Sequence, residues 1–226
     1  MARTQGGIAS EGREGGAGGE VRGARARKGA ALAAARDHVA FLAEFIRSPL
    51  QLSAILPTHP EIGRAMVRGL GLKNAKAVVE FGPGTGSITR AIVAEIGAET
   101  TFFAVELNAR MAERFAKNFP TVRLFQEDAG NIAAQCAAMG VKRLDAAITA
   151  LPWTTIPVEA RDDILRETAR MLRPGGAFTW VTYRKPSAPG VREFVGQLRR
   201  HFARVEPMAA VKEPIVTAFV QRCYVG

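Results

Sequence analysis

Cysteine, histidine and long apolar runs are scarce in this chain, and each shortage excludes a class of function. Cys136 and Cys223 are its only cysteines. They lie far apart with no CxxC or Cys/His spacing, so neither a disulfide framework nor a zinc site is expected, and a reducing cytoplasm fits. No stretch approaches the roughly 18 consecutive apolar residues of a membrane-spanning helix, which leaves peripheral contact as the expected mode of any membrane association. A secretory leader is also disfavoured. Its nearest candidate, Gly29 to Ala35, is short, weakly apolar and followed at once by Arg36, Asp37 and His38.

What the chain has in excess is positive charge and, at its start, glycine. The 31 Lys and Arg against 21 Asp and Glu give a formal net charge of +10, which favours a phosphate-bearing partner, either nucleic acid or anionic lipid. The basic residues cluster at Arg22, Arg25, Arg27 and Lys28, and again at Arg184, Lys185, Arg192, Arg199, Arg200 and Arg204. A solvated face is the competing explanation of the second cluster. Of the 23 glycines, nine fall within the first 30 residues. That stretch has too few large apolar side chains to offset the entropy of ordering, so residues 1–30 are expected to be a disordered tail.

The remaining 196 residues are enough for one sizeable domain with an appended segment. Leu32, Ala35, Val39, Leu42, Phe45 and Ile46 recur at helical spacing up to Ser48-Pro49, and a second short helix is expected after Thr58 with Pro60 in its first turn. Residues 31–72 thus form an N-terminal segment of amphipathic helices. From about residue 73 the pattern alternates. Strand-like runs at 76–81, 101–106, 122–126, 144–150 and 177–183 are separated by helical stretches, which predicts a parallel sheet covered on both faces. After a helix at 191–201 come two strand-like runs, 203–211 and 215–224, too close for an intervening helix; they predict an antiparallel hairpin. The expected architecture for 73–226 is a doubly wound, Rossmann-like α/β domain with a mostly parallel seven-stranded sheet.

The most specific motif is Val78-Val79-Glu80-Phe81-Gly82-Pro83-Gly84-Thr85-Gly86. Gly82 and Gly84 allow a sharp turn and close approach of backbone to a ligand, and the helix that follows offers unpaired N–H groups. The dinucleotide pattern G-x-G-x-x-G fails, because Ser87 stands where its third glycine belongs. Glu80 places a carboxylate at the end of the first strand, suited to the ammonium of an amino-acid moiety. Glu106 ends the second strand and can accept from both hydroxyls of a ribose, with Leu107 beside it for an adenine face. Asp128, followed by Ala129, ends the third and can accept from an adenine exocyclic amine, although alone it reads first as a helix cap or a solvated loop residue. Three acids at three successive strand ends converge on one crevice.

These residues resemble the class I methyltransferases, whose Glu-x-Gly-x-Gly-x-Gly loop, ribose acid and adenine-contacting Asp match Glu80 to Gly86, Glu106 and Asp128. Pro174-Gly175-Gly176 and the terminal hairpin match as well. The resemblance implies S-adenosyl-L-methionine as cofactor and S-adenosyl-L-homocysteine as product, with Glu80, Gly82, Gly84, Thr85, Gly86, Glu106, Leu107, Asp128 and Ala129 as the cofactor-binding residues.

The fourth strand ends in Ala150-Leu151-Pro152-Trp153. Nucleic-acid amino methyltransferases carry an Asn or Asp where this chain has Ala150. The missing hydrogen bond counts against adenine N6 chemistry, so nucleic acid is the less favoured partner. Pro152 and Trp153 give a rigid turn and a π-face for an aliphatic amine, with Tyr183 as a second wall; ordinary packing is the alternative for both aromatics. The series Phe45-Ile46-Arg47-Ser48-Pro49, Ala54-Ile55-Leu56-Pro57, Glu80 to Gly86 and Leu151-Pro152-Trp153 is similar to the soluble bacterial phospholipid N-methyltransferases, including relatives that act on ornithine lipids. That resemblance implies methylation of phosphatidylethanolamine toward phosphatidylcholine. It also implies an N-terminal helix docked on an anionic inner-membrane surface. Read alone, the helix at 32–47 fits a lid or core role better, since Arg36 and Arg47 are balanced by Asp37 and Glu44. His59 and Tyr183 are candidate proton acceptors, although a lone His between Thr58 and Pro60 also fits a structural role, and Arg184 and Lys185 are candidates for a lipid phosphate. Two rivals remain: an rRNA adenine N6-dimethyltransferase and a non-catalytic cofactor-binding protein. Oligomeric state is not readable from the chain.

Overall fold

The computed structural model describes residues 60–212 and 217–226. The Gly/Arg-rich tail, the helix at 32–47, the Ala54–Pro57 loop and His59 lie outside the described residues.

Helix α1 (Pro60–Val67) begins at its proline, where a missing N–H costs nothing. Beyond it the chain alternates as expected: β1 (Ala77–Phe81), α2 (Ser87–Glu95), β2 (Thr101–Val105), α3 (Ala109–Asn118), β3 (Arg123–Phe125), α4 (Ile132–Ala138), β4 (Leu144–Thr149), α5 (Val158–Met171), β5 (Leu172–Thr182) and α6 (Pro189–His201). The short β6 (Arg204–Val205), then β7 (Ala209–Lys212) and β8 (Thr217–Tyr224) complete it. The sheet order is β3-β2-β1-β4-β5-β8-β6, with β7 also paired to β8. β1 to β5 pair in parallel, and β8 lies antiparallel to β5.

Two local departures from the sequence reading have backbone causes. The sheet has eight strands rather than seven, because the run at 203–211 is split. Val205 pairs with Cys223 but Ala209 pairs with Val220, so one extra residue is accommodated around Pro207, which has no N–H to give the ladder. β5 starts at Leu172 instead of Ala177. Leu172 pairs with Leu144 and Ala177 with Ala146, and Pro174-Gly175-Gly176 sits in the bulge between, with Gly175 at φ 72°.

Strand alternation divides the core between the two sheet faces. Val79, Phe81, Phe103 and Val105 face one layer with Ile132 of α4, Ile164 of α5 and Phe194 of α6. Val78, Ala146 and Ile148 face the other, with Ile62 and Met66 of α1 and Ile88 and Ile92 of α2. Buried on both sides, β1 reads as an almost unbroken apolar run. The chain leaves β1 toward β2 and β4 toward β5, so the sheet diverges between β1 and β4. The crevice at their carboxyl ends is where such folds hold ligands. Among the described residues, no helix is long and apolar enough to cross a membrane.

Candidate active site

A cleft with about 540 Å³ of empty space opens at the carboxyl ends of β1 to β4. Gly82, Glu106, Leu107, Asp128 and Ala129 line one side of it. Leu151, Ile156, Pro157, Ala160 and Ile164 line the other. The structure therefore brings together five of the residues the sequence singled out, from three separate strand ends.

The glycine loop turns through three positive φ angles, 65° at Gly82, 53° at Gly84 and 82° at Gly86. Each glycine is needed for a different reason. A Cβ at Gly82 would stand 2.5 Å from Leu151 Cδ2, and one at Gly86 would stand 1.9 Å from Phe119 Cε2, so these two are packed against side chains. Among the described residues a Cβ at Gly84 would meet nothing within 4 Å, the openness that a backbone cradling a ligand must have. The Gly86 N–H donates to the Pro83 carbonyl at 2.8 Å, closing the turn, and α2 starts at the next residue. Thr85 Oγ1 lies 3.4 Å from Ser87 Oγ at the head of that helix.

Glu106 is only 7% exposed. Its carboxylate is held by backbone donors: the Asn108 N–H at 2.9 Å on Oε1 and the Gly84 N–H at 3.4 Å on Oε2. Burial raises its pKa, while the bonds from Asn108, Gly84 and Leu107 act in the opposite direction. Asn108 meanwhile caps α3 by accepting from the Met111 N–H at 3.0 Å. The acid is thereby fixed against both the glycine loop and α3. Asp128 is both a cap and a cleft-lining residue. Its Oδ1 accepts from the Gly130 N–H at 2.7 Å, capping a short turn, and the residue still lines the cleft. Gln135 braces this corner by donating to the Asp128 carbonyl at 3.0 Å and to Glu127 Oε2 at 3.3 Å.

Glu80 departs from its expected placement at the mouth of the site. Period-two alternation puts it on the Val78 face, under α2, where it is 1% exposed and receives the Thr89 hydroxyl at 2.6 Å. Burial raises its pKa to about 8, the Thr89 bond opposes this, and the nearby Glu106 adds to it. Glu80 thus underlies the glycine loop without lining the cleft.

Trp153 requires a correction. It is 1% exposed, stacked on Phe194 at 5.0 Å and edge-on to Phe178 at 5.6 Å. The turn at Pro152, whose carbonyl accepts from the Thr155 N–H at 2.9 Å and its Oγ1 at 2.7 Å, sends the ring into the core. It forms no wall for an amine. Tyr183 is half-buried against the α1/α2 core cluster, and Arg184 and Lys185 are exposed on the loop after β5; none of the three lines the cleft.

Sequence reasoning missed Thr89, Phe119 and the α5 wall. Thr89 carried a usable signal, a polar residue on the same helical face as Ile88 and Ile92. Ile156, Ala160 and Ile164 recur at steps of four, an apolar stripe at helical spacing that marks a buried face without saying that it borders a cleft. Phe119 carried none, because its contact with Gly86 bridges separate elements.

The donor set suits an adenosine-containing ligand. It offers a braced carboxylate for a diol, an apolar slot between Leu107 and the Ile156–Ile164 stripe for a flat heterocycle, a second acid at its edge and an open glycine. Comparison with known proteins agrees with that chemistry. A family model described as a methyltransferase domain matches residues 78–176. An ornithine lipid N-methyltransferase from Singulisphaera acidiphila is 30% identical over 153 residues, 65% of this chain and 78% of that protein. Among solved structures, the O-methyltransferase from Bacillus cereus in complex with SAH superposes with a TM-score of 0.59 at 15% identity, over 82% of this chain and 90% of that one. The N-methyltransferase NodS from Bradyrhizobium japonicum WM9 gives 0.58 at 13% identity, over 75% and 99%. At these identities the two structures establish the fold, and the family model and the lipid enzyme establish kinship. This chain belongs to the class I S-adenosylmethionine-dependent methyltransferases, with S-adenosyl-L-methionine as its cofactor.

Proposed function

We propose that this chain methylates the amine of a membrane lipid, carrying phosphatidylethanolamine toward phosphatidylcholine or acting on an ornithine lipid. The observation that carries this reading is the 30% identity, over 153 residues, to an enzyme named for ornithine lipid N-methylation. Ala150 supports it, since a base-methylating site would need a polar side chain there.

When bound, S-adenosyl-L-methionine supplies an electrophilic methyl group that needs no further activation. Glu106 would hold the ribose, Leu107, Ala129 and the α5 stripe the adenine ring, Asp128 its amine, and the Gly82–Gly86 backbone the amino-acid end. The chain's remaining tasks are to align the acceptor, exclude water and remove a proton. A primary ammonium titrates near ~10 and must lose its proton before the nitrogen lone pair can attack. The Tyr183 hydroxyl, the His59 ring and the Ala150 carbonyl are the candidate acceptors. Arg184 and Lys185, exposed on the loop after β5, suit the lipid phosphate. Residues 31–72, with the basic cluster before them, would hold the enzyme against the anionic cytoplasmic face of the inner membrane.

The test is incubation of the full chain with radiolabelled S-adenosyl-L-methionine and, separately, vesicles containing phosphatidylethanolamine, vesicles containing ornithine lipid, or ribosomal RNA. Label in a lipid fraction is the expected result and identifies the head group. Label confined to RNA, or absent while cofactor binding is measurable, overturns the proposal.

A further inference from the structure

Arginine is costly to bury, because its charge leaves water and its five donors need partners. Arg161, in the first turn of α5, is nevertheless 2% exposed. One terminal nitrogen donates to the Trp153 carbonyl at 3.1 Å, and the other meets Glu193 Oε1 on α6 at 2.6 Å. The guanidinium carbon lies 5.7 Å from the centre of the Phe194 ring, the ring on which Trp153 stacks. Its Nε has no hydrogen-bond partner among the described residues. Packing alone does not account for the residue, since an apolar side chain of similar volume would fill the space without the desolvation.

Its place in the chain suggests what the arginine secures. Between β4 and α5, residues 150–157 form no regular element, yet Leu151, Ile156 and Pro157 of this segment make up much of one cleft wall. Among the described residues, the segment's other hydrogen bonds are local: Leu151 N–H to Thr149 Oγ1, Trp153 N–H to the Leu151 carbonyl, Thr155 to the Pro152 carbonyl, and the Arg161 N–H to the Pro157 carbonyl, the first bond of α5. Such bonds shape the turn and its junction with the helix without fixing its midpoint. The Arg161 bond to Trp153 attaches its midpoint to a helix, and Leu151, two residues earlier, packs directly against Gly82.

We propose that Arg161 is a positioning residue for the cofactor cleft: it holds the β4–α5 segment, and so Leu151 and Ile156, through the Trp153 carbonyl, while Glu193 holds the guanidinium in that pose. The inference concerns the cofactor and stands whatever the methyl acceptor is. Because the Glu193 side chain is 54% exposed, the brace runs from the protein surface to the interior of the cleft.

The test compares Arg161→Met, Arg161→Lys and Glu193→Gln with Arg166→Met, a change at an exposed position on the same helix. S-adenosylhomocysteine binding is measured by calorimetric titration alongside thermal unfolding, and Trp153 emission is followed in a Trp180→Phe background. Arg161→Met is expected to unfold within a few degrees of the parent yet bind S-adenosylhomocysteine about tenfold more weakly, the effect of losing a charge-assisted bond. KM for the methyl donor should rise by the same factor while kcat at saturation holds. Trp153 emission should shift without ligand, and Arg161→Lys should recover part of the affinity. Glu193→Gln, which keeps an oxygen acceptor for the guanidinium at a half-exposed position, should weaken binding about threefold while the chain stays folded. Parental affinity in Arg161→Met, or in Glu193→Gln if the former does not fold, overturns the proposal, as does a loss of affinity shared by Arg166→Met.

Discussion

The Thr89 hydroxyl donates to the Glu80 carboxyl at 2.6 Å beneath the glycine loop, and no other side chain hydrogen bond reaches that carboxyl among the described residues. The group is buried, its pKa is pushed up to about 8, and Glu106 nearby makes a second negative charge still less welcome. In the unfolded chain Glu80 ionises at its ordinary value of 4.5, so between the two values the folded protein holds a proton that the unfolded chain has lost. Its contribution to stability is full below about 4.5 and is lost as pH rises through about 8. Urea unfolding across that range should show the parent weakening toward alkaline pH and Glu80→Gln weakening less. Parallel curves would show that Glu80 does not carry the proton.

Gly84 and Gly86 share a left-handed backbone but differ in surroundings, so the same substitution should fail in two ways. Gly86→Ala drives a methyl group into Phe119 and should lower the unfolding temperature as well as abolish cofactor binding. Gly84→Ala meets no atom of the described residues and should cost about 1 kcal/mol of backbone strain, with a larger loss in S-adenosylhomocysteine affinity than in stability. Equal stability losses in the two variants would contradict this assignment.

Glu106 reaches the cleft already braced by two backbone N–H groups. Glu106→Gln keeps the shape but replaces one acceptor oxygen with a donor, so cofactor affinity should fall by about 10- to 100-fold, corresponding to one charged hydrogen bond or slightly more. Calorimetric titration measures it directly.

Substitution can separate the cap that Asp128 makes from the cofactor contact proposed for it. Asp128→Asn retains an oxygen for the Gly130 N–H, so stability should stay near that of the parent while cofactor affinity drops severalfold. Asp128→Ala removes the cap as well and should cost a further ~1 kcal/mol in denaturant unfolding.

Trp153→Phe discriminates packing from recognition. Because the Trp153 ring sits in the Phe178–Phe194 stack and its indole N–H has no partner among the described residues, the variant should unfold about 1–3 kcal/mol more readily, as a core truncation does. KM for an amine acceptor should be unchanged. A rise in that KM without loss of stability would return Trp153 to the substrate pocket.

The order of strands and helices, the glycine turn and the acids at the strand ends were legible in the sequence because they depend on local chemistry. Apolar period marks each element, positive φ demands glycine, and chain order in a doubly wound sheet puts β1, β2 and β3 ends together, which delivered Gly82, Glu106, Leu107, Asp128 and Ala129 to one cleft. The direction in which side chains point was decided elsewhere. Glu80 is turned under α2 by the pleat of a strand buried on both faces, and Trp153 is drawn inward by aromatic partners 25 and 41 residues away in sequence, Phe178 and Phe194. Arg161 and Phe119 acquired their places through contacts between elements that no local pattern encodes, and the Ile156–Ala160–Ile164 stripe, though periodic, became a cleft wall only through packing. The sequence by itself determined which elements form and which chemical groups end the strands; only the tertiary structure decided which of those groups face a ligand, because burial and partner choice are set by packing across the sheet.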